Sequence, residues 1–172
     1  EEIERVEEKV RRLIKELEDE LRKIEERIER LLRRSRERNK EISDRNRRLL
    51  EEMRRSDRDK DVLRKRLEDI DRELRKLLKD DEDLMREIKR ELRELLERLR
   101  KVAEDIRDEI RKDLSSEEKA RELEEELRRA VERVDRKIEE LEERLDRVLK
   151  ESRDTVDENE KRNEKVLREL ET

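Results

Sequence analysis

The 172-residue chain is 65% charged and 28% hydrophobic, and it contains no Gly, Pro, Cys, His, Phe, Tyr or Trp. Its 53 basic and 58 acidic residues leave a formal net charge of only −5, so no strong single-sign field would gather nucleic acid or anionic lipid. Without Cys there is no disulfide, thiolate nucleophile or sulfur-based metal site, and without His the commonest metal ligand and general base is missing.

So much charge with so few apolar residues ordinarily signals disorder, but the arrangement of the apolar residues overrules the composition. The first series runs Ile3, Val6, Val10, Leu13, Ile14, Leu17, Leu21, Ile24, Ile28, Leu31, Leu32 and resumes at Leu49, Leu50, Met53. Steps of three and four place these side chains on one helical stripe and predict a helix over about 2–55. The doublets Leu13/Ile14, Leu31/Leu32 and Leu49/Leu50 recur every eighteen residues. That is five turns at 3.6 residues per turn, so the stripe runs straight and does not supercoil as a strict heptad would.

A second series follows from Leu63 through Leu67, Ile70, Leu74, Leu77, Leu78, Leu84, Met85, Ile88 and Leu92 to Leu95, Leu96, Leu99, Val102, Ile106, Ile110 and Leu114. It predicts a helix over about 58–114. Ser56-Asp57-Arg58-Asp59 is an acidic helix start, with the turn near 56–57. Ser115-Ser116-Glu117-Glu118 offers an N-cap serine with Glu three residues later, which sets the next turn near 115–116 and a third helix over about 117–171.

The third series is Ala120, Leu123, Leu127, Ala130, Val131, Val134, Ile138, Leu141, Leu145, Val148, Leu149, then Val166, Leu167 and Leu170. Adding 117 to each number of the first series lands on the third, doublets included. Two helices with one pattern stand parallel at the same height, and the segment between them returns antiparallel. The expected fold is all-α: a long, straight, up-down-up three-helix bundle, a coiled-coil-like rod about 80 Å long, in one domain over 1–172. Pairs such as Glu7/Arg11, Glu8/Arg12, Glu18/Arg22, Glu26/Arg30, Glu124/Arg128 and Glu132/Arg136 stand at i,i+4 on the outer faces and add about 0.2–0.5 kcal/mol each.

The stripes break in one zone. After Leu32 the first carries Ser35, Asn39, Ile42 and Asn46, and the third carries Ser152, Val156, Asn159 and Asn163 at the matching height. The second helix passes that level with Asp81 in mid-stripe, near Ser35 and Ser152. Burying such groups without partners costs about 1–3 kcal/mol each, more for a charge, so they are expected to pair: Asn46 with Asn163, both serine hydroxyls onto Asp81, and Asn39 and Asn159 to neighbouring layers or water. A buried network of this kind penalises slipped helices and wrong partners. Three other readings stay open. The zone is a partly hydrated weak section, or a polar site for a ligand or partner, or Asp80, Asp81 and Asp83 mark a break in the second helix. The last would waste the register match of the outer helices.

No apolar run is long enough to span a membrane, and no phosphate loop, dinucleotide fingerprint or aromatic stacking platform exists. Asp81 with Ser35 and Ser152 superficially suggests nucleophilic chemistry, yet there is no His, no oxyanion-hole loop and no glycine-rich backbone. A single core Asp is too few acidic groups for a hard-cation site. Neither catalysis nor a cofactor or metal is expected. The surface lacks aromatic anchors, so the chain is expected to be a soluble monomer needing no partner, with a helical interaction or self-assembly module as the alternative.

With its aligned doublets, Leu/Ile/Val core, Glu/Arg/Lys surface and Ser/Asp turns, the whole chain resembles de novo designed, parametrically generated antiparallel three-helix bundles, particularly untwisted ones built on an eighteen-residue repeat. The resemblance implies a stable scaffold without a natural substrate. Spectrin-type repeats share the up-down-up topology and are a weaker resemblance, because their aromatic core residues are missing here.

Overall fold

A computed structural model describes residues 2–55, 59–113 and 116–171. These form three α-helices, α1 (Glu2–Arg55), α2 (Lys60–Asp113) and α3 (Glu117–Glu171), of 54, 54 and 55 residues. No strand occurs among the described residues. The chain is an all-α three-helix bundle.

The helix ends have local causes. Asp59 caps α2: its Oδ1 accepts the Asp61 N–H at 3.0 Å, meeting one of the donors that a helix start leaves unpaired, and its carbonyl accepts the first bond of the helix from the Leu63 N–H at 3.4 Å. The Ser116 carbonyl accepts the Ala120 N–H at 3.1 Å, which places Ser116 at the cap of α3 and Lys119 three residues on. Ser115 of the expected capping box lies outside the described residues, as do the turn at 56–57, Arg58 and Leu114. Basic residues occupy the last turn of each helix, opposite in sign to the dipole end there. The alternative of a break at 80–83 is overturned, since α2 runs unbroken through Asp80, Asp81 and Asp83.

The contacts divide the chain into two compact units. The first comprises 1–28 and 87–143. Its core joins Val6 and Val10 of α1, Ala103, Ile106 and Ile110 of α2, and Leu123 and Leu127 of α3. The start of α1 thus meets the end of α2 and the start of α3, which is the up-down-up order. Ion pairs repeat the registers. Lys9–Glu109 at 2.8 Å and Arg27–Glu91 at 2.7 Å join α1 to α2, and the two numbers total 118 in both. Lys119–Glu7 at 3.4 Å and Lys137–Glu25 at 3.0 Å join α3 to α1 and stand eighteen residues apart.

The second unit comprises 29–86 and 144–172. One cluster gathers Ile42, Leu74, Leu77 and Val156, and another gathers Leu49, Leu50, Met53, Leu63, Leu67 and Val166. Half-buried Ile70 packs against both. Arg36–Glu151 at 3.2 Å and Arg54–Glu169 at 3.4 Å join α1 to α3, again eighteen residues apart. Each buried Leu or Ile contributes about 1.5–3 kcal/mol, whereas exposed ion pairs contribute about 0–1 kcal/mol, so the stripes hold the fold and the pairs decorate it.

Two details differ from the sequence reading. Leu84 and Val102 belong to the apolar series of α2 but are both 38% exposed, while Met85 and Ala103 beside them are buried. The two stand eighteen residues apart, so one phase of the repeat points outward along α2. Of the expected i,i+4 pairs, Glu132/Arg136 closes at 3.9 Å. Arg128 instead pairs with Glu125 and Glu132, Arg22 with Asp19, and Glu7 and Glu124 reach neighbouring helices. Positions flanking the stripe are half-buried, and a long side chain there meets the adjacent helix as readily as its own.

Candidate functional site

The interior of the second unit holds polar side chains on all three helices. Ser35, Asn46, Asp81, Ser152, Asn159 and Asn163 are buried, and Asn39 is half-buried. Each occupies a position where the stripe would carry an apolar residue. Asp81, 7% exposed, stands four residues from both Leu77 and Met85, and this spacing delivers its carboxylate inward.

Three separate arrangements result. In the first, the Ser35 hydroxyl donates to Asp81 Oδ2 at 2.6 Å, Ser35 Oγ lies 3.4 Å from Ser152 Oγ, and Asn39 Nδ2 donates to Ser152 Oγ at 2.7 Å. A hydroxyl has one proton to give. Ser35 gives its proton to the carboxylate, so at the serine–serine contact Ser152 is the donor. The bonds therefore run one way, from the Asn39 amide through Ser152 and Ser35 to Asp81, each polarising the next toward the charge. The 3.4 Å step is the weak link and the 2.6 Å step the charge-assisted one. The expectation that Asp81 takes both serine hydroxyls is corrected: Ser35 alone reaches it.

Burial pushes the Asp81 carboxyl above its ordinary value of 3.8; the Ser35 bond, Arg38 and Arg34 pull it down, and Asp80 adds to the rise. Desolvation is the largest of these effects because it acts on the charged form alone.

The second arrangement is reciprocal. Asn46 Nδ2 donates to Asn163 Oδ1 at 2.8 Å and Asn163 Nδ2 donates to Asn46 Oδ1 at 3.1 Å. Two amides close a ring that a shift of either helix would open. The third joins Asn159 Nδ2 to Ser43 Oγ at 3.2 Å. Asn39 and Asn159 are thus served from neighbouring layers, because the α3 residue level with Asn39 is Val156 and the α1 residue level with Asn159 is Ile42.

Ser43 escaped the sequence reading, although a signal existed. Stepping back by eighteen from 43 gives Glu25 and then Glu7, half-buried flanking positions that both carry a long acid. A serine in that phase is short enough to meet a buried amide.

Among the described residues no group of three or more His, Cys, Asp or Glu is placed to hold a metal ion, and no helix is long and apolar enough to cross a membrane. Comparison with family models, curated proteins and solved structures finds no match.

Proposed function

We propose that the chain is a designed structural scaffold, a monomer whose buried polar zone fixes the register of its helices. The observation that carries this reading is the reciprocal Asn46–Asn163 pair. Its offset of 117 is the offset that relates the apolar stripes of α1 and α3. One axial alignment therefore satisfies both the core and the amides, whereas a slip strands two buried amides at about 1–3 kcal/mol each. Polar groups add specificity in this way even where apolar groups of the same size would add more stability.

A designed origin is supported by the regularity of the surface. Ion pairs recur at eighteen-residue spacing between the same helices, on a chain that uses none of seven residue types. A catalytic reading has little support, since the Ser35 oxygen is buried away from any substrate.

The test replaces Ser35 and Ser152 with Ala and Asn46, Asp81, Asn159 and Asn163 with Leu, then follows sedimentation mass over a range of concentrations. The proposal expects the parent at its 21.6 kDa chain mass and the apolar variant helical, at least as stable, and heterogeneous in mass. A variant that stays uniquely monomeric removes the specificity role. A parent well above the chain mass favours an assembly module instead.

A further inference from the structure

Between α1 and α3 of the second unit, two adjoining hollows of about 610 Å³ and 210 Å³ share Arg36 and Val148 and form one groove. Leu32 and Val148, both buried, floor the larger hollow. Arg33, Arg36, Arg144 and Arg147 line it, and Lys40 extends the row into the smaller one. Against these five cations stand three acids, Glu29, Glu37 and Glu151, which leaves a local charge of +2 on a chain of −5. Two hollows between α1 and α2 each balance three cations with three acids, and one between α2 and α3 carries two cations and four acids. The α1–α3 groove is set apart by sign.

Three of its five cations are also available. Arg36 is engaged with Glu151 at 3.2 Å, but among the described residues Arg33, Arg147 and Lys40 take part in no ion pair or hydrogen bond. Neutral donors stand at the Lys40 end. Ser43 accepts from Asn159 and keeps its own proton uncommitted, and Asn39 gives one of its two amide protons to Ser152, leaving the second. Arg33 and Lys40 are seven residues apart on α1, about 10 Å at 1.5 Å per residue. A single small anion cannot meet both ends of such a row. A linear chain of tetrahedral oxyanions can, with guanidinium forks bracketing successive groups.

We propose that this groove binds a short linear polyphosphate, with Arg33 and Arg147 holding one end of the phosphate chain and Lys40 and Ser43 the other. The chain has no aromatic residue, so a nucleobase attached to the same phosphates gains no stacking partner.

Isothermal titration with inorganic tripolyphosphate, at low and at physiological ionic strength, tests the site. Binding is expected to saturate at one equivalent and to weaken with salt. The double variant Arg33→Gln, Arg147→Gln is expected to lose about tenfold or more in affinity, as two charge-assisted contacts would require. The control Arg48→Gln, Arg66→Gln removes the same charge from a hollow between α1 and α2 and is expected to stay within about twofold of the parent. Circular dichroism checks that both variants are helical, and phosphorus NMR line broadening follows binding if either is marginal. ATP is expected to bind no more tightly than tripolyphosphate. Equal losses in both variants, or absence of saturable binding to the parent, would overturn the site; tighter binding of ATP would overturn the assignment to the phosphate chain alone.

Discussion

Ser35→Ala removes a single oxygen from the interior of the second unit and leaves the backbone helical. The lost oxygen donated to Asp81 at 2.6 Å and accepted from Ser152 at 3.4 Å. A hydrogen bond to a charged group contributes about 1.5–3 kcal/mol net, and the long serine–serine contact contributes less, so the expected cost at neutral pH is about 2–3 kcal/mol. The cost should depend on pH, with a sign fixed by Asp81. Burial holds its folded-state carboxyl above the ordinary 3.8, so between the ordinary and the raised value the folded state carries the extra proton. The stability linked to that proton is fully present below the unfolded value and is lost as pH rises through the folded value. Without Ser35 the folded value climbs further, because the bond that pulled it down is gone. The penalty of Ser35→Ala is therefore largest at neutral pH and shrinks toward the roughly 1 kcal/mol of a neutral bond once the carboxyl is protonated. Urea unfolding followed by far-ultraviolet circular dichroism measures the difference at both pH values. A penalty under about 0.5 kcal/mol at neutral pH, or one that does not change on acidification, would mean that Ser35 does not donate to a buried, charged Asp81.

Asp81→Asn keeps the shape and deletes the charge, so its acid unfolding curve should lack the inflection that the raised carboxyl gives the parent, and its stability at neutral pH should equal or exceed the parent's; superimposable curves would place the parent's carboxylate in solvent. Met85→Ala should cost about 2–5 kcal/mol as a buried truncation, while Leu84→Ser one residue earlier should stay within about 0.5 kcal/mol, and similar costs would deny the outward phase of α2. One residue inserted after Glu26 rotates the later stripe of α1 by about 100° and should abolish cooperative unfolding, whereas a tolerated insertion would contradict the continuous stripe.

The three helices were legible because apolar spacing is a property of one segment at a time. Their described bounds fall within two residues of those expected, and the parallel offset of α1 and α3 could be read by laying one series on the other. Asn46 and Asn163 were legible for the same reason, as two polar residues at one height in matched stripes. Leu84/Met85 and Val102/Ala103 were not, since each is an apolar neighbour pair and spacing alone cannot say which member faces inward; alanine, being small, is easily passed over. The partner of Ser152 depended on counting hydroxyl protons around Asp81, which needs distances. The charge of the α1–α3 groove was out of reach, because it sums side chains from two helices more than a hundred residues apart, each unremarkable on its own.

A double-mutant cycle on Asn46 and Asn163 tests the register account most directly. Asn46→Leu or Asn163→Leu alone strands a buried amide and should cost about 1–3 kcal/mol. The double change leaves nothing unpaired and should be neutral or stabilising, with a coupling of about 1 kcal/mol or more between the sites. Single costs that simply add in the double variant would show that the two amides do not act as a pair, and would remove the polar zone as the device that sets the helices in register.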